Sequence, residues 1–555
     1  MLTGILSPEE GISGFSNEAT ITIAALFILS EGWFKTGVVN YIGRIFIKIF
    51  ERKFWIANSF MMFISGVVSA FINNTTQVAL SIPILLKVSK ELKISPSKLL
   101  LPLSYATVFG GILMLIGTST NILVSSLAKQ YGQPPFSMFE FTPLASIFFV
   151  AGLLYMMFIG IHLIPDRGKD SDLTSSYGLG DYLTEIIIKK ESSSVGKKIK
   201  EAPLVKDLGI EILEIRRDKK RLSLPSPSTI LQEDDHLIIK CDVEKIKELQ
   251  EKSGILLKPG LKWKDKELES EEFVLVEAVI SPHSFLIGKN LKKIKFRNRF
   301  RATVLAIKHR GKTMYENVAG TNLMAGDALL IEISKVNLES LKEDDAFVVV
   351  SEIEPPTFKT SKIIMSILIM TAVVVIASLE ILPISTAAII GAILIVLTRC
   401  ISLENAYRAI DWQIIMLLAG SISLGLAMEK TGTAKFISDG VLSIVGAYGH
   451  TVTLSAFYLI TLTLTETMSN NATAALMTPI AISTAASLNL DPRPFLITVM
   501  FAASLAFMMP IGYQTHLMVF NPGRYRIIDF IKVGTPLNIL FWLLATFLIP
   551  VFFPF

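Results

Sequence analysis

Two stretches decide how this chain is read: Phe71-Ile72-Asn73-Asn74-Thr75-Thr76-Gln77 and Thr467-Met468-Ser469-Asn470-Asn471-Ala472-Thr473. Each is a patch of amides and hydroxyls set between apolar runs, 54–71 and 78–92 around the first, 451–466 and 472–488 around the second. They lie 396 residues apart, and at that offset Pro83 falls on Pro479 and Ser95-Pro96 on Asp491-Pro492. At 395, Ser7-Pro8-Glu9 falls on Ser402-Leu403-Glu404 and Thr36-Gly37 on Thr431-Gly432. The run from Met114 to Asn121 (Met-Leu-Ile-Gly-Thr-Ser-Thr-Asn) likewise falls on Met509 to His516 (Met-Pro-Ile-Gly-Tyr-Gln-Thr-His). One residue of drift over the whole length marks an internal repeat of two halves.

The rest of the composition agrees with a membrane setting for those halves. The 555 residues are 51% hydrophobic and 18% charged, with mean hydropathy +0.54, which is too apolar for a large soluble chain. About two-thirds of the charges fall between Pro165 and Lys359. The plan is therefore membrane half, soluble insert, membrane half. Further apolar runs lie at 18–34, 97–116 and 141–164, then at 362–379, 383–399, 411–429, 493–509 and 534–553. Several are shorter than the ~20 residues that cross a ~30 Å hydrocarbon core, which suggests re-entrant hairpins and broken helices. Gly37–Phe50 reads as an interfacial amphipathic helix.

A net charge of +5 is too mild for a nucleic-acid partner, and Cys241 and Cys400 have neither disulfide nor metal-site spacing. Met1–Glu10 lacks the basic start and apolar core of a cleavable signal. Basic residues (Lys35 to Lys53, Lys87 to Lys98, Arg399, Arg408, Arg524, Arg526) all fall on the side of Arg167. The positive-inside bias then makes residues 166–359 cytoplasmic in a plasma (inner) membrane protein, with Phe547–Phe555 outside. The two halves consequently start on opposite sides, as inverted repeats. Runs 362–379 and 383–399 have no counterpart before Ser7. The expectation is a start codon set too far downstream, with loss of one or two spans as the alternative.

In a bilayer, polar residues inside apolar runs need internal partners. Amides and hydroxyls at the start of a helix suit an anion, because helix N-termini present free N–H groups and partial positive charge. Asn73, Asn74, Thr75, Ser469, Asn470, Asn471 and Thr473 are the substrate-binding candidates, on two hairpins expected to meet tip to tip. Glycine and proline breaks at Gly110-Gly111 to Asn121 and Pro510 to His516 free carbonyls that suit Na⁺. Gly117, Thr118, Ser119, Asn121, Gly512 and Thr515 are the candidates there. Glu466 and His516 are candidates for ion coupling. The alternative is that these polar clusters merely join helices, which two symmetric pairs make the weaker reading.

The insert repeats at an offset of 92: Glu185 on Glu277, Val195-Gly196-Lys197 on Ile287-Gly288-Lys289, Asp235 on Asp327. Each copy reads as a strand, a Gly-Lys helix opening and a strand pair (Ile210–Arg216 with His236–Cys241; Ala302–His309 with Ala328–Ile333). The pattern resembles the TrkA C-terminal (RCK-C) domain, known to bind small ligands and to dimerise. No G-x-G-x-x-G follows a strand. Lys197-Lys198 and Lys292-Lys293 read as solvated lysines before they read as a phosphate site.

The paired Asn-rich tips, each followed by a broken Ile-Gly-x-x-Thr element, resemble the divalent anion:sodium symporters of the ion transporter superfamily, in the subgroup carrying two inserted TrkA-C domains. The likeness covers both membrane halves. It implies that tip residues Asn74, Thr75, Asn470 and Asn471 contact substrate, Asn73 and Ser469 serve either role, and Gly117 and Gly512 with their neighbours hold sodium. Asn73 stands where that family has Ser, and Asn471 where it has Thr.

The fold class is thus a polytopic α-helical membrane protein of two inverted repeats with re-entrant hairpins and broken helices, plus an inserted α+β pair. Its domains are 1–165, 175–260, 265–352 and 360–555. The expected function is Na⁺-coupled symport of a small divalent anion, sulfate before dicarboxylate, with no other cofactor. Lipid, Na⁺, the anion, a second copy of the chain and a small-molecule regulator at the TrkA-C-like domains are the expected partners. An antiporter of the same superfamily is the nearest alternative. A TrkA-C-regulated potassium channel would need a Thr-Val-Gly-Tyr-Gly filter, and an enzyme a nucleophile–base pair; the sequence has neither.

Overall fold

The computed structural model describes residues 1, 3–38, 54–167, 183–206, 210–217, 220–223, 225–240, 255–258, 273–281, 284–309, 312–314, 318–342, 344, 346–349 and 360–555. The chain forms two compact units, Met1–Arg167 with Glu352–Phe555, and Gly168–Ser351.

The first unit is helical. Its first half runs α1 (Glu18–Thr36), α2 (Phe54–Ser69), α3 (Asn74–Leu92), α4 (Ser97–Gly111), α5 (Ser119–Gln130) and α6 (Thr142–Tyr155). Its second half runs α7 (Thr360–Ser378), α8 (Ile384–Leu397), α9 (Trp412–Lys430), α10 (Thr433–Val445), α11 (His450–Thr465), α12 (Asn470–Leu488), α13 (Arg493–Ser504), α14 (Gln514–Phe520) and α15 (Ile527–Phe552). The amphipathic segment expected over Gly37–Phe50 lies mostly outside the described residues. At the matching place in the second half, α10 is a helix with Phe436 and Ile444 exposed.

Local signals repeat as the elements do. Helices α1 and α9 both run into a glycine with positive φ, Gly37 at +88° and Gly432 at +69°, the left-handed conformation that stops a helix cheaply only at glycine. Helices α3 and α12 start on the side-chain caps Asn73 and Ser469, contain Pro83 and Pro479, and end on left-handed Lys93 and Asn489.

Four helices are long and apolar enough to cross a membrane among the described residues: Pro8–Thr36, Thr142–Leu163, Ser361–Ser378 and Ile527–Phe552. Leu403–Ala409 with Ile414–Lys430, bent by 46°, adds a fifth if counted as one span. By contrast α2, α8, α11 and α13 are apolar but short. Leu397, Phe436, Ile444 and Val551 are 71–79% exposed, an apolar outer surface suited to lipid. Helices α7 and α8 pack on α1: Trp33 Nε1 donates to Ser366 O at 3.0 Å, and a Cβ on Gly32 would strike the Ile395 side chain.

Close helix crossings depend on small residues, as membrane packing requires. A Cβ on Gly110 of α4 would stand 1.9 Å from the Gly66 carbonyl oxygen of α2. Near the start of α4, Arg167 donates to Asp529 of α15 at 3.0 Å, and its backbone N–H donates to Ser95 at 2.9 Å.

Among the described residues, the second unit holds two five-stranded antiparallel sheets. The first has β1 (Leu183–Ile188), β2 (Glu211–Arg217), β3 (Lys220–Ser223), β4 (His236–Lys240) and β5 (Ile255–Lys258), in the order β3-β2-β4-β1-β5. The second has β6 (Phe273–Ile280), β7 (Ala302–His309), β8 (Lys312–Met314), β9 (Ala328–Ser334) and β10 (Phe347–Val349), in the order β10-β6-β9-β7-β8. Read from opposite edges, the strand order is the same. Bulges recur at Ile212/Glu214 and Val304/Ala306, and buried Asp235 and Asp327 each accept a backbone N–H three residues upstream. Each sheet has its own core on one face, and Leu213 and Ile238 join Leu275, Val279, Leu305 and Leu330 in a core shared by both sheets.

One local expectation changes. Gly-Lys does not open a helix directly: Gly196 and Gly288 have φ near +77° and +75°, and their N–H groups donate to Leu231 O and Leu323 O at 2.8 Å. The glycine makes a turn tied to the loop before β4 or β9, and the short helical turns come later, at Ile199–Glu201 and Phe296–Phe300. Lys197, Lys198, Lys292 and Lys293 are exposed.

The α2–α4 crossing is directly testable. Gly110→Val forces two backbones apart and is expected to cost about 1–3 kcal/mol or more, read as a lower melting temperature in detergent. Gly420→Ala, where an added Cβ meets nothing within 4 Å, should leave it unchanged.

Candidate functional site

The two polar patches form breaks between helices, at 70–73 between α2 and α3 and at 466–469 between α11 and α12. Asn73 Oδ1 accepts the Thr75 N–H at 2.8 Å and Ser469 Oγ the Ala472 N–H at 3.3 Å. These caps place Asn74 and Asn470 as the first residues of two 19-residue helices. Their dipoles present positive ends at both tips.

Just inside each tip the same contact recurs. Ser69 Oγ donates to Asn74 Oδ1 at 2.5 Å. Thr465, at the matched position, stands 2.9 Å from the Asn470 amide. That amide faces Thr465 Oγ1, the Gly512 carbonyl at 3.0 Å and the Ala503 carbonyl at 3.3 Å. The amide NH₂ therefore points inward and donates to these three oxygens, and Thr465 Oγ1 in turn donates to Ala503 O at 2.9 Å.

The tips do not bond to each other in the described contacts. Each bonds to the broken element of the opposite half. Asn74 Nδ2 donates to the Tyr513 hydroxyl at 2.8 Å and Thr75 Oγ1 to Gln514 Oε1 at 2.9 Å. Ser119 and Thr120 hydroxyls donate to Asn471 Oδ1 at 3.1 and 3.2 Å. Two helix N-termini set head-on would oppose like partial charges, whereas the breaks offer oxygen acceptors and hydroxyls.

The breaks need their own support. After α4 the chain runs irregularly to Thr118, and Asn121 Nδ2 donates to Met114 O at 3.1 Å. A Cβ on Gly117 would lie 2.4 Å from the Gly111 carbonyl oxygen, so glycine permits the backbone to fold back on itself. After α13, Glu466 does the equivalent work. Its two oxygens accept the N–H groups of Phe507, Met508 and Met509 at 3.1, 3.0 and 2.8 Å, and Asn538 Nδ2 of α15 at 2.8 Å. Tyr105 donates to Phe507 O at 2.7 Å.

His516 Nε2 lies 3.1 Å from Ala506 O. A carbonyl only accepts, so Nε2 carries the proton and Nδ1 accepts from Ser104 Oγ at 2.8 Å. His516 therefore repeats what Asn121 does in the first half.

The remaining candidates fall as follows. Thr118 lies beside the Tyr513 hydroxyl. Gly512 presents its carbonyl to Asn470. Thr515 is buried, 3.4 Å from His516 Nδ1. Thr473 is buried one turn into α12, with no hydrogen-bond partner for its hydroxyl. Sequence reading missed Ser69, Thr465, Tyr513 and Gln514 as site members. Ser69 and Thr465 occupy matched positions in the repeat, which was a usable signal. The reach of Tyr513 across to the other half has no signature in sequence. No group of three or more His, Cys, Asp and Glu suited to a metal occurs among the described residues.

The chain matches the sequence profile of the citrate-transporter family (CitMHS) over residues 1–491. It is 38% identical to an uncharacterised transporter of Synechocystis over 99% of this chain and 91% of that protein. It is 30% identical to the uncharacterised transporter YfbS of Escherichia coli over 100% and 94%. It is 23% identical to sodium/sulfate cotransporter 2 of Chlamydomonas reinhardtii over 98% and 85%.

The bonding at the second break separates a structural from an ion-coupling role for Glu466 and His516. Glu466→Gln turns an amide NH₂ toward backbone donors and should cost about 1–3 kcal/mol of stability, with uptake falling at every cation concentration alike. His516→Asn, the first-half residue, should keep uptake and its pH profile. A changed cation dependence in the first variant or a lost pH dependence in the second would assign them to coupling.

Proposed function

Because the chain belongs to the citrate-transporter family, among the divalent anion:sodium symporters, we propose that it is a Na⁺-coupled symporter carrying a small divalent anion, sulfate before dicarboxylate, by alternating access. The observation that carries this reading is the convergence of oxygens at Asn470. Thr465 Oγ1, Gly512 O and Ala503 O converge on the Asn470 amide NH₂; all three are hard neutral ligands, and a cation would take them when the amide turns its own oxygen inward. Such a carbonyl–hydroxyl–amide set at a helix break fits Na⁺, and it contains no carboxylate that would favour a divalent ion. Ser69 and Asn74 offer a matched pair in the first half.

The donors for the anion are the tips. Asn74, Thr75 and Asn471 carry N–H or O–H groups at the positive ends of helices α3 and α12. Neither tip contains Lys or Arg, so an anion there has no fixed countercharge. Bound Na⁺ would supply it and fix the tip amides, which makes anion affinity depend on the cation. The name of the Chlamydomonas cotransporter supports sodium and sulfate as the pair; the family description supports a carboxylate as the second substrate class.

On this reading the two membrane halves are inverted repeats around the site. The insert, residues 175–260 and 265–352, is a cytoplasmic TrkA-C-like pair in a plasma-membrane homodimer, where a small regulator would bind. The common strand order of the two sheets supports its duplication.

Uptake of labelled sulfate into proteoliposomes should be accumulative with an inward sodium gradient and absent without sodium. No sodium-dependent accumulation of sulfate or any dicarboxylate overturns the proposal. Asn74→Ala and Asn470→Ala should each abolish uptake while the protein remains monodisperse; wild-type rates in both would move the site elsewhere.

A further inference from the structure

The two breaks differ most at one matched pair of positions. Where the first has Thr118 and Ser119, the second, 395 residues on, has Tyr513 and Gln514. Ser119, with Thr120, donates a hydroxyl to Asn471. The long pair does the opposite and presents acceptors. The Tyr513 hydroxyl accepts from Asn74 and Gln514 Oε1 accepts from Thr75. The same Tyr513 hydroxyl lies beside Thr118. Its ring therefore joins the first tip and the first break from the second half. Asn74 and Thr75 are buried, so their donors need acceptors at all times. Two neutral oxygens on rigid or planar groups hold them.

We infer that Tyr513, assisted by Gln514, sets the size limit of the transported anion. The inference rests on the anion-symport reading above and deepens it. Tyr513 Oη and Gln514 Oε1 occupy the acceptor positions that two anion oxygens take on binding. A compact tetrahedral divalent oxyanion carries its oxygens on one centre and can relieve both acceptors at once. A dicarboxylate or tricarboxylate brings a carbon chain as well, and beside the first tip the phenol ring fills the space that chain needs. The device is exclusion by a side chain, with no gain of contacts to the smaller anion required. Restoring the first-half residue removes the ring and opens that space.

The test is competition against sodium-driven uptake of labelled sulfate in proteoliposomes of the full chain. Selenate should compete in the wild-type protein, while excess succinate or citrate should not. In Tyr513→Thr, succinate should compete with an inhibition constant at least about tenfold lower, the scale of a one- to two-methylene discrimination. Tyr513→Phe keeps the ring and should still exclude succinate, with a lowered KM for sulfate because the anion no longer has to displace the phenol oxygen from Asn74. Succinate competing in the wild-type protein, or failing equally in Tyr513→Thr, overturns the size limit while leaving sodium-driven symport in place. Should Tyr513→Thr not fold, Tyr513→Leu is read the same way. The wild-type melting temperature in sodium buffer decides the matter without a variant: sulfate and selenate should raise it, and equal protection by succinate overturns the inference. Absence of sodium-driven uptake of all these anions sinks the symport reading itself.

Discussion

A backbone that leaves the helix inside an apolar environment must find a partner for every freed N–H and C=O, because no bulk water is there to take them. That constraint shapes this protein more than any other. Between α13 and α14 the three consecutive N–H groups of Phe507, Met508 and Met509 converge on one carboxylate, Glu466. The carbonyls of Ala506 and Phe507 are taken by His516 and Tyr105. A Cβ on Gly534 of α15 would lie 2.2 Å from the Phe507 carbonyl oxygen, so that helix packs directly on the break. Irregular backbone is thus held in one shape by groups from α4, α14, α15 and the break that follows α11. The payoff is chemical: carbonyls at Gly512 and Ala503 remain directed at Asn470.

The two halves solve the same problem with different side chains. In the first, Asn121 supports the break by an amide N–H, and at the position matching Glu466 stands Ala70. In the second, a histidine and a glutamate share the task. The symmetry that remains is that of position. Ser69 with Asn74 and Thr465 with Asn470 keep the same five-residue geometry across the tip. The breaks diverge as well in what each offers to the opposite tip: hydroxyl donors from Ser119 and Thr120, acceptor oxygens from Tyr513 and Gln514.

Most helix boundaries were legible because each carries a local signal. Pro96 and Pro492 stand before α4 and α13, Asn73 and Ser469 cap α3 and α12, and Gly37 and Gly432 end α1 and α9. The short helices α5, α10 and α14 escaped a hydropathy reading because they carry too few apolar residues in a row. In the insert, the strands richest in Ile, Leu and Val were read within a residue or two. The edge strands β3, β5, β8 and β10 were not, because three or four residues of mixed character have no period to detect. The Gly-Lys turns were misread as helix starts because a left-handed glycine can end one element or begin another, and the deciding bond runs to a loop some 35 residues away.

From sequence alone came the composition of a membrane protein, the register of its two halves, the charged insert with its own duplication, and the two amide-bearing tips. All of these are patterns of spacing and polarity, which a linear chain displays directly. Which groups the tips would meet was settled by the tertiary fold. Hydrogen bonds between residues 439 positions apart, Asn74 with Tyr513 and Thr75 with Gln514, depend on the relative placement of two halves that no local propensity encodes. The same holds for Glu466, an acidic residue in an apolar run that proved to be the acceptor for three backbone amides. A buried polar group is defined by what surrounds it, and its surroundings are assembled only when the helices pack.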